Sequence, residues 1–224
     1  MILRRFIPQY VSNRIVIGFL NLLRVWQRTF HICWKNCDKH HAINSEYETV
    51  VAKENDDYKP GLIENQKELG YLRFGKTTMA YAGCEILAVY NVLYSLGTKA
   101  NLADLIHTFE HDGMVLSGRF GTAPKAISDF FNKRGYTVKM SQKEKDFEAI
   151  ASQSKNMILT MYNNRFNIMD EVHTVCITKA EDGLYAHNVY GDGSIVGPAS
   201  SISDMLSSIN NGRTKGICLM SIEG

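Results

Sequence analysis

Residues 82–97 read Ala-Gly-Cys-Glu-Ile-Leu-Ala-Val-Tyr-Asn-Val-Leu-Tyr-Ser-Leu-Gly. Ile86, Leu87, Val89, Tyr90, Val92 and Leu93 leave almost no polar face, so the stretch predicts a helix buried all round. Gly97 supplies its stop. Cys84 stands at the first turn, where the free amides and the macrodipole favour a thiolate and lower its pKa. Gly83 lets the chain turn sharply into the helix. A central buried helix that opens on a cysteine is a nucleophile's setting, although a cysteine there also serves as a small core hydrophobe.

Outward from this helix the pattern stays regular. Residues 102–109 and 124–134 predict two more helices, the second with Pro124 near its first position and Gly135 at its end. Residues 143–153 and 203–209 carry weaker helical patterns. Strand patterns occupy 136–140, 157–162, 172–178, 184–190 and 217–222. Helices first and antiparallel strands later predict an α+β fold.

His173 lies in the strand pattern Val172-His173-Thr174-Val175-Cys176-Ile177. Asp182-Gly183 is a two-residue hairpin signal that would place Glu181 opposite Leu184 and His173 opposite Asp192. A loop at Glu181-Asp182 shifts the pairing by two and brings Asn188 closer diagonally. In either register Asn188 shares the face of His173. An Asn or Asp beside the ring would orient it, with Asn188 first and Asp192 in reserve.

The N-terminal third differs in composition. Residues 1–40 hold seven Lys or Arg against one acid, residues 41–70 three against seven, and residues 71–224 fifteen of each. A boundary at 70/71 follows, giving a basic helix with an acidic arm (1–70) and a domain (71–224). The helix, read over 14–34 with Asn13 as its cap, is basic and aromatic. Docking on the protein is its preferred reading, and peripheral contact with an anionic membrane the alternative. Residues 44–66 read as a linker. The net charge of +2 gives no electrostatic case for nucleic acid. Five cysteines without framework spacing point to a reducing, cytoplasmic setting. His31, Cys33, Cys37 and His40 are weak zinc candidates, because their spacing lacks regular pairs. His107 and His111 read as polar helix-end residues.

Gly83-Cys84 at a helix start, Phe120-Gly121-Thr122-Ala123-Pro124-Lys125-Ala126-Ile127 with Phe130-Phe131 and Gly135-Tyr136, and His173 followed by Asn188 together resemble the papain-like cysteine peptidases. The likeness is particularly to their bacteriocin-processing, double-glycine-leader branch, over about residues 71–222. The resemblance implies a papain-like domain with Cys84 as nucleophile, His173 as base and Asn188 as the orienting residue. It implies no metal or organic cofactor, and a peptide or other acyl substrate. The expected function is a thiol-dependent hydrolase. The alternatives are acyl or aminoacyl transfer on the same fold, or an inactive binding module. Two departures stand out. The family's oxyanion-hole glutamine, about six residues before the cysteine, is Thr78 here, leaving Thr78, Tyr81 or the Cys84 amide as donors. Glu85 follows the cysteine, where its charge would oppose thiolate formation, with an effect softened by the 100° between successive helix positions.

Overall fold

The computed structural model describes residues 9–30, 34–54, 61–164 and 172–224. Eight α-helices and eight strands occur among them, with short 3-10 turns between. Helix α4 (Cys84–Ser95) is the buried helix read from the sequence; Ile86, Leu87, Val89 and Val92 are fully buried. Each such side chain contributes roughly 1.5–3 kcal/mol relative to exposure. Helices α5 (Leu102–Asp112) and α6 (Pro124–Lys133) pack beside it. Asn101 caps α5 by accepting from the Asp104 amide, and Pro124 opens α6.

The sheet has six strands in the order β3-β8-β4-β5-β6-β7, with every pairing antiparallel: β3 (Thr137–Ser141), β4 (Asn156–Tyr162), β5 (Val172–Lys179), β6 (Leu184–His187), β7 (Val196–Ala199) and β8 (Lys215–Glu223). All of β4 is buried. Ile158, Cys176, Cys218 and Met220 join α4–α6 in one apolar cluster. Met157, Leu159, Val175, Ile177 and Leu219 join α7 (Phe147–Ser152) and α8 (Ile202–Ser208) in the other. The fold is α+β, with the helix that carries Cys84 packed on an antiparallel sheet. A two-stranded ribbon, β1 (Arg73–Phe74) and β2 (Thr77–Thr78), and the single turn α3 (Met79–Ala82) lead into α4.

The N-terminal helices differ from the sequence reading. Helix α1 runs Gln9–Thr29, so Asn13 lies inside it rather than capping it. Three of its polar residues face the protein, along with the buried Ile17: Asn13 donates to the carbonyls of Gly216 and Ile217, Arg24 to the Asp112 carbonyl and the Asp129 carboxylate, and Gln27 accepts from the Ser117 amide. Ile15, Phe19, Leu22, Val25 and Trp26 are left exposed. The helix thus docks as preferred, but with its apolar side outward. Residues 44–54, read as linker, belong instead to helix α2 (Trp34–Glu54). Its docking is polar: Asn44 bonds the Arg73 amide and carbonyl, His40 bonds Glu110, and Glu48 accepts from the Leu102 and Ala103 amides at the start of α5. No helix among the described residues is long and apolar enough to cross a membrane.

Candidate active site

Cys84 is buried at the first residue of α4. Gly83 before it has φ −98°, which any residue tolerates. Its lack of a side chain matters for space instead, since a Cβ there would sit 2.6 Å from the Met79 carbonyl and 2.5 Å from the Met79 methyl. Besides the Glu85 backbone amide, two groups meet the sulfur. One is the backbone amide of Thr174, which belongs to the peptide joining it to His173. The other is the Glu85 carboxylate, with Sγ 3.3 Å from Oε2.

Glu85 is also buried and accepts from its own amide and from that of Thr122. Gly121 closes over it: at φ +60°, a Cβ would lie 2.5 Å from Oε2. The Gly-Thr loop noted in the sequence therefore holds a carboxylate beside Cys84. Burial pushes the Glu85 carboxyl up to about 7. Burial, then the Glu85 charge, pushes the Cys84 thiol well above its ordinary value, against weaker help from the Thr174 amide. The expected lowering by the helix N-terminus is thus reversed, because desolvation outweighs the macrodipole. Nor is the Glu85 effect softened by its helix position, because the carboxylate folds back onto the sulfur.

His173 is half-buried in β5, and burial lowers its pKa. Its Nε2 is 2.7 Å from the backbone carbonyl of Asn188. A carbonyl only accepts, so Nε2 carries the proton and Nδ1 keeps its lone pair. The hairpin pairs Cys176 with His187 and Ile177 with Ala186, with Ala180 bonded to Gly183, so Glu181-Asp182 is the loop. The first-choice register, with His173 opposite Asp192, is not adopted. Strand β6 stops at His187, and Asn188 takes φ +60°. That kink turns its carbonyl, rather than its side chain, onto His173. The side-chain role assigned to Asn188 is therefore corrected. Its Oδ1 accepts from the Gln66 amide and its Nδ2 donates to Gln66 Oε1. Asp192 is exposed and its carboxylate accepts from Ser194 in its own turn, and among the described residues no hydrogen bond joins this reserve partner to the ring.

Two site residues were missed by sequence reasoning. Gln66, 18 positions before Cys84, is buried and donates to the carbonyls of Met79 and Ala80 in the turn just ahead of the cysteine. Glu64 accepts from the Asn188 amide at 2.7 Å and pairs with His187 Nδ1 at 2.6 Å, while Thr178 Oγ1 holds the other ring nitrogen. The end of the acidic arm thus ties the kinked hairpin to α3. No local spacing signals this, because the contacts to His187 and Asn188 span more than a hundred residues.

No hydrogen bond joins Cys84 to His173 among the described residues; the thiol proton is directed to Glu85. Of the oxyanion candidates, Thr78 is half-buried in β2 and Tyr81 is exposed. Among the zinc candidates, His31 and Cys33 lie outside the described residues, Cys37 is buried and His40 bonds Glu110. Cys176 and Cys218 are core residues.

No family model matches the chain, and no curated protein matches it. Among solved structures it is similar to the peptidase domain of Streptococcus ComA, described as a bi-functional ABC transporter involved in a quorum sensing pathway. The likeness has 11% sequence identity and a TM-score of 0.42, and covers 62% of this chain and 90% of that domain.

Proposed function

We propose that the domain is a papain-like, thiol-dependent hydrolase that cleaves a peptide or another amide or ester. The observation that carries this reading is the meeting of Cys84 with the His173–Thr174 peptide, while Asn188 fixes the ring with Nδ1 as the basic nitrogen. With the thiol pushed up and the imidazole pushed down, the resting pair is neutral. His173 then acts as a general base rather than as the cation of a preformed ion pair.

As Sγ bonds to the substrate carbonyl carbon, its proton passes to His173 Nδ1 and the carbonyl π electrons move to oxygen. The Cys84 amide, free at the helix start, is the donor we assign to that oxygen. Collapse breaks the bond to the leaving group, which takes the proton from His173. Water then attacks the acyl carbon as His173 accepts its proton, and cleavage of the C–S bond restores the thiol. Catalysis requires the thiol proton to turn from Glu85 to His173. Ionised Glu85 holds that proton; protonated Glu85 releases it.

The test is p-nitrophenyl acetate at pH 6.5, with intact-mass and peptide mass spectrometry. An acetyl group forms on Cys84, slows about 100-fold or more in His173→Ala, and is absent in Cys84→Ala. Acetylation independent of His173 in a folded variant overturns the hydrolase reading and leaves a binding module. Transfer to added hydroxylamine in preference to water would favour the acyl-transferase alternative.

We also propose that α1 rests its outward apolar side on an anionic membrane surface. The exposed Ile15–Phe19–Leu22–Trp26 line, flanked by Arg14 and Arg28, supports this.

A further inference from the structure

Helix α2 meets α5 through imidazoles. His107 and His111 stand one turn apart on α5 and share a face. Asp38 of α2 reaches them: its Oδ1 is 2.9 Å from His107 Nε2, which is 3.2 Å from His111 Nε2. The three atoms all lie within 4.8 Å of one another. His41 lines the edge, its ring 4.7 Å from that of His107 and its Nε2 on Asp104.

His107 Nε2 has either one proton or one lone pair, yet it faces two groups. If it donates to Asp38, it has no lone pair for His111, and a His111 N–H would point at an N–H. If it accepts from His111, it presents a lone pair to a carboxylate. With a His111 lone pair the His107 proton is shared as a three-centre bond, so no tautomer gives both contacts a full hydrogen bond. A cation at the common centre satisfies all three lone pairs.

Two of the three separations, 2.9 and 3.2 Å, suit such a cation, and the third, within 4.8 Å, closes by a small turn of the exposed Asp38 side chain. Tetrahedral Zn²⁺ with bonds of about 2.0–2.1 Å separates its ligand atoms by about 3.3 Å. Two imidazoles and a carboxylate are borderline donors of zinc type, and the fourth position opens to solvent beside the exposed Asp38.

We propose that Asp38, His107 and His111 form a divalent-metal site of zinc class that clips α2 to α5. The site is independent of the Cys84 chemistry. It ties the N-terminal helices to the domain across 69 residues of chain, and binding to the folded state alone makes stability depend on metal concentration.

The test is Zn²⁺ titration of the chelator-stripped full chain against a chromophoric chelator, with cobalt spectra and melting curves. One ion binds per chain, zinc raises the melting temperature, and the cobalt form lacks a thiolate-to-metal charge-transfer band. His107→Gln or His111→Gln weakens binding by about 100-fold and abolishes the thermal shift, with the metal-free circular dichroism unchanged. Absence of stoichiometric binding overturns the proposal. So does zinc binding that survives both glutamine variants and is lost in Cys33→Ser or Cys37→Ser. Should the variants not fold, the cobalt spectrum of the unaltered chain decides: a charge-transfer band refutes the site.

Discussion

Replacing Glu85 by Gln removes a buried charge while keeping the side chain's shape and its acceptor for the Thr122 amide. The folded-state pKa of about 7 stands above the ordinary glutamate value of 4.5. The folded protein therefore holds a proton that the unfolded chain gives up between those values. Stability conferred by this group is full below pH 4.5, falls by about 1.36 kcal/mol per pH unit as pH rises, and is lost above about pH 7. The rise from 4.5 to about 7 makes the loss about 3 kcal/mol. For a chain of this size that lowers the melting temperature by about 6–12 °C. The assay is urea unfolding at fixed pH values from 5 to 8. The unaltered protein loses stability across that range, and Glu85→Gln lacks this component, so the difference between the two curves isolates Glu85. The variant's thiol also titrates lower, because a like charge 3.3 Å away is gone. Parallel curves for the two proteins between pH 5 and 8 would refute the buried, raised carboxyl.

Two further outcomes follow from the same geometry. Gly121→Ala combines a left-handed backbone with a Cβ 2.5 Å from the Glu85 carboxylate, so it destabilises by about 2 kcal/mol or more; a melting temperature within a degree of the unaltered protein's would contradict the packing. In flotation with vesicles containing anionic lipid, the full chain rises with the vesicles and Phe19→Ser/Leu22→Ser does not. Equal flotation of the two would remove the membrane role of α1.

Legibility of the sequence followed the source of each contact. Helix α4 was readable because its environment is apolar all round, and the central strands because β4, β5 and β8 are buried runs. Helix α2 escaped because it docks through Asn44, His40 and Glu48 rather than an apolar stripe. Strand β7 escaped because it carries Gly197-Pro198, a pair that reads as a turn. Gly183, taken as the second loop residue, serves a different need: at φ +150° a Cβ there would lie 2.8 Å from the Ala199 carbonyl of β7. Cys84, His173 and Asn188 were readable as candidates, but the atom of Asn188 that meets His173 depended on a backbone kink that no side-chain pattern encodes. Gln66 and Glu64 were illegible for the reason that makes them effective: they join segments far apart in sequence. The same holds for Asp38, His107 and His111, whose convergence needs α2 laid on α5.

The most direct measurement is the rate of Cys84 alkylation by iodoacetamide as a function of pH, read by peptide mass spectrometry, for the unaltered protein and His173→Ala. The account predicts two rises, separated by a fall near pH 7 where Glu85 ionises and holds the thiol proton. One titrates below about 6.5, where neutral His173 becomes available as a base, and the other lies above about 8.5, where the buried thiol itself ionises. His173→Ala erases the first rise and keeps the second. Identical profiles in two folded proteins would contradict a Cys84–His173 unit and with it the hydrolase.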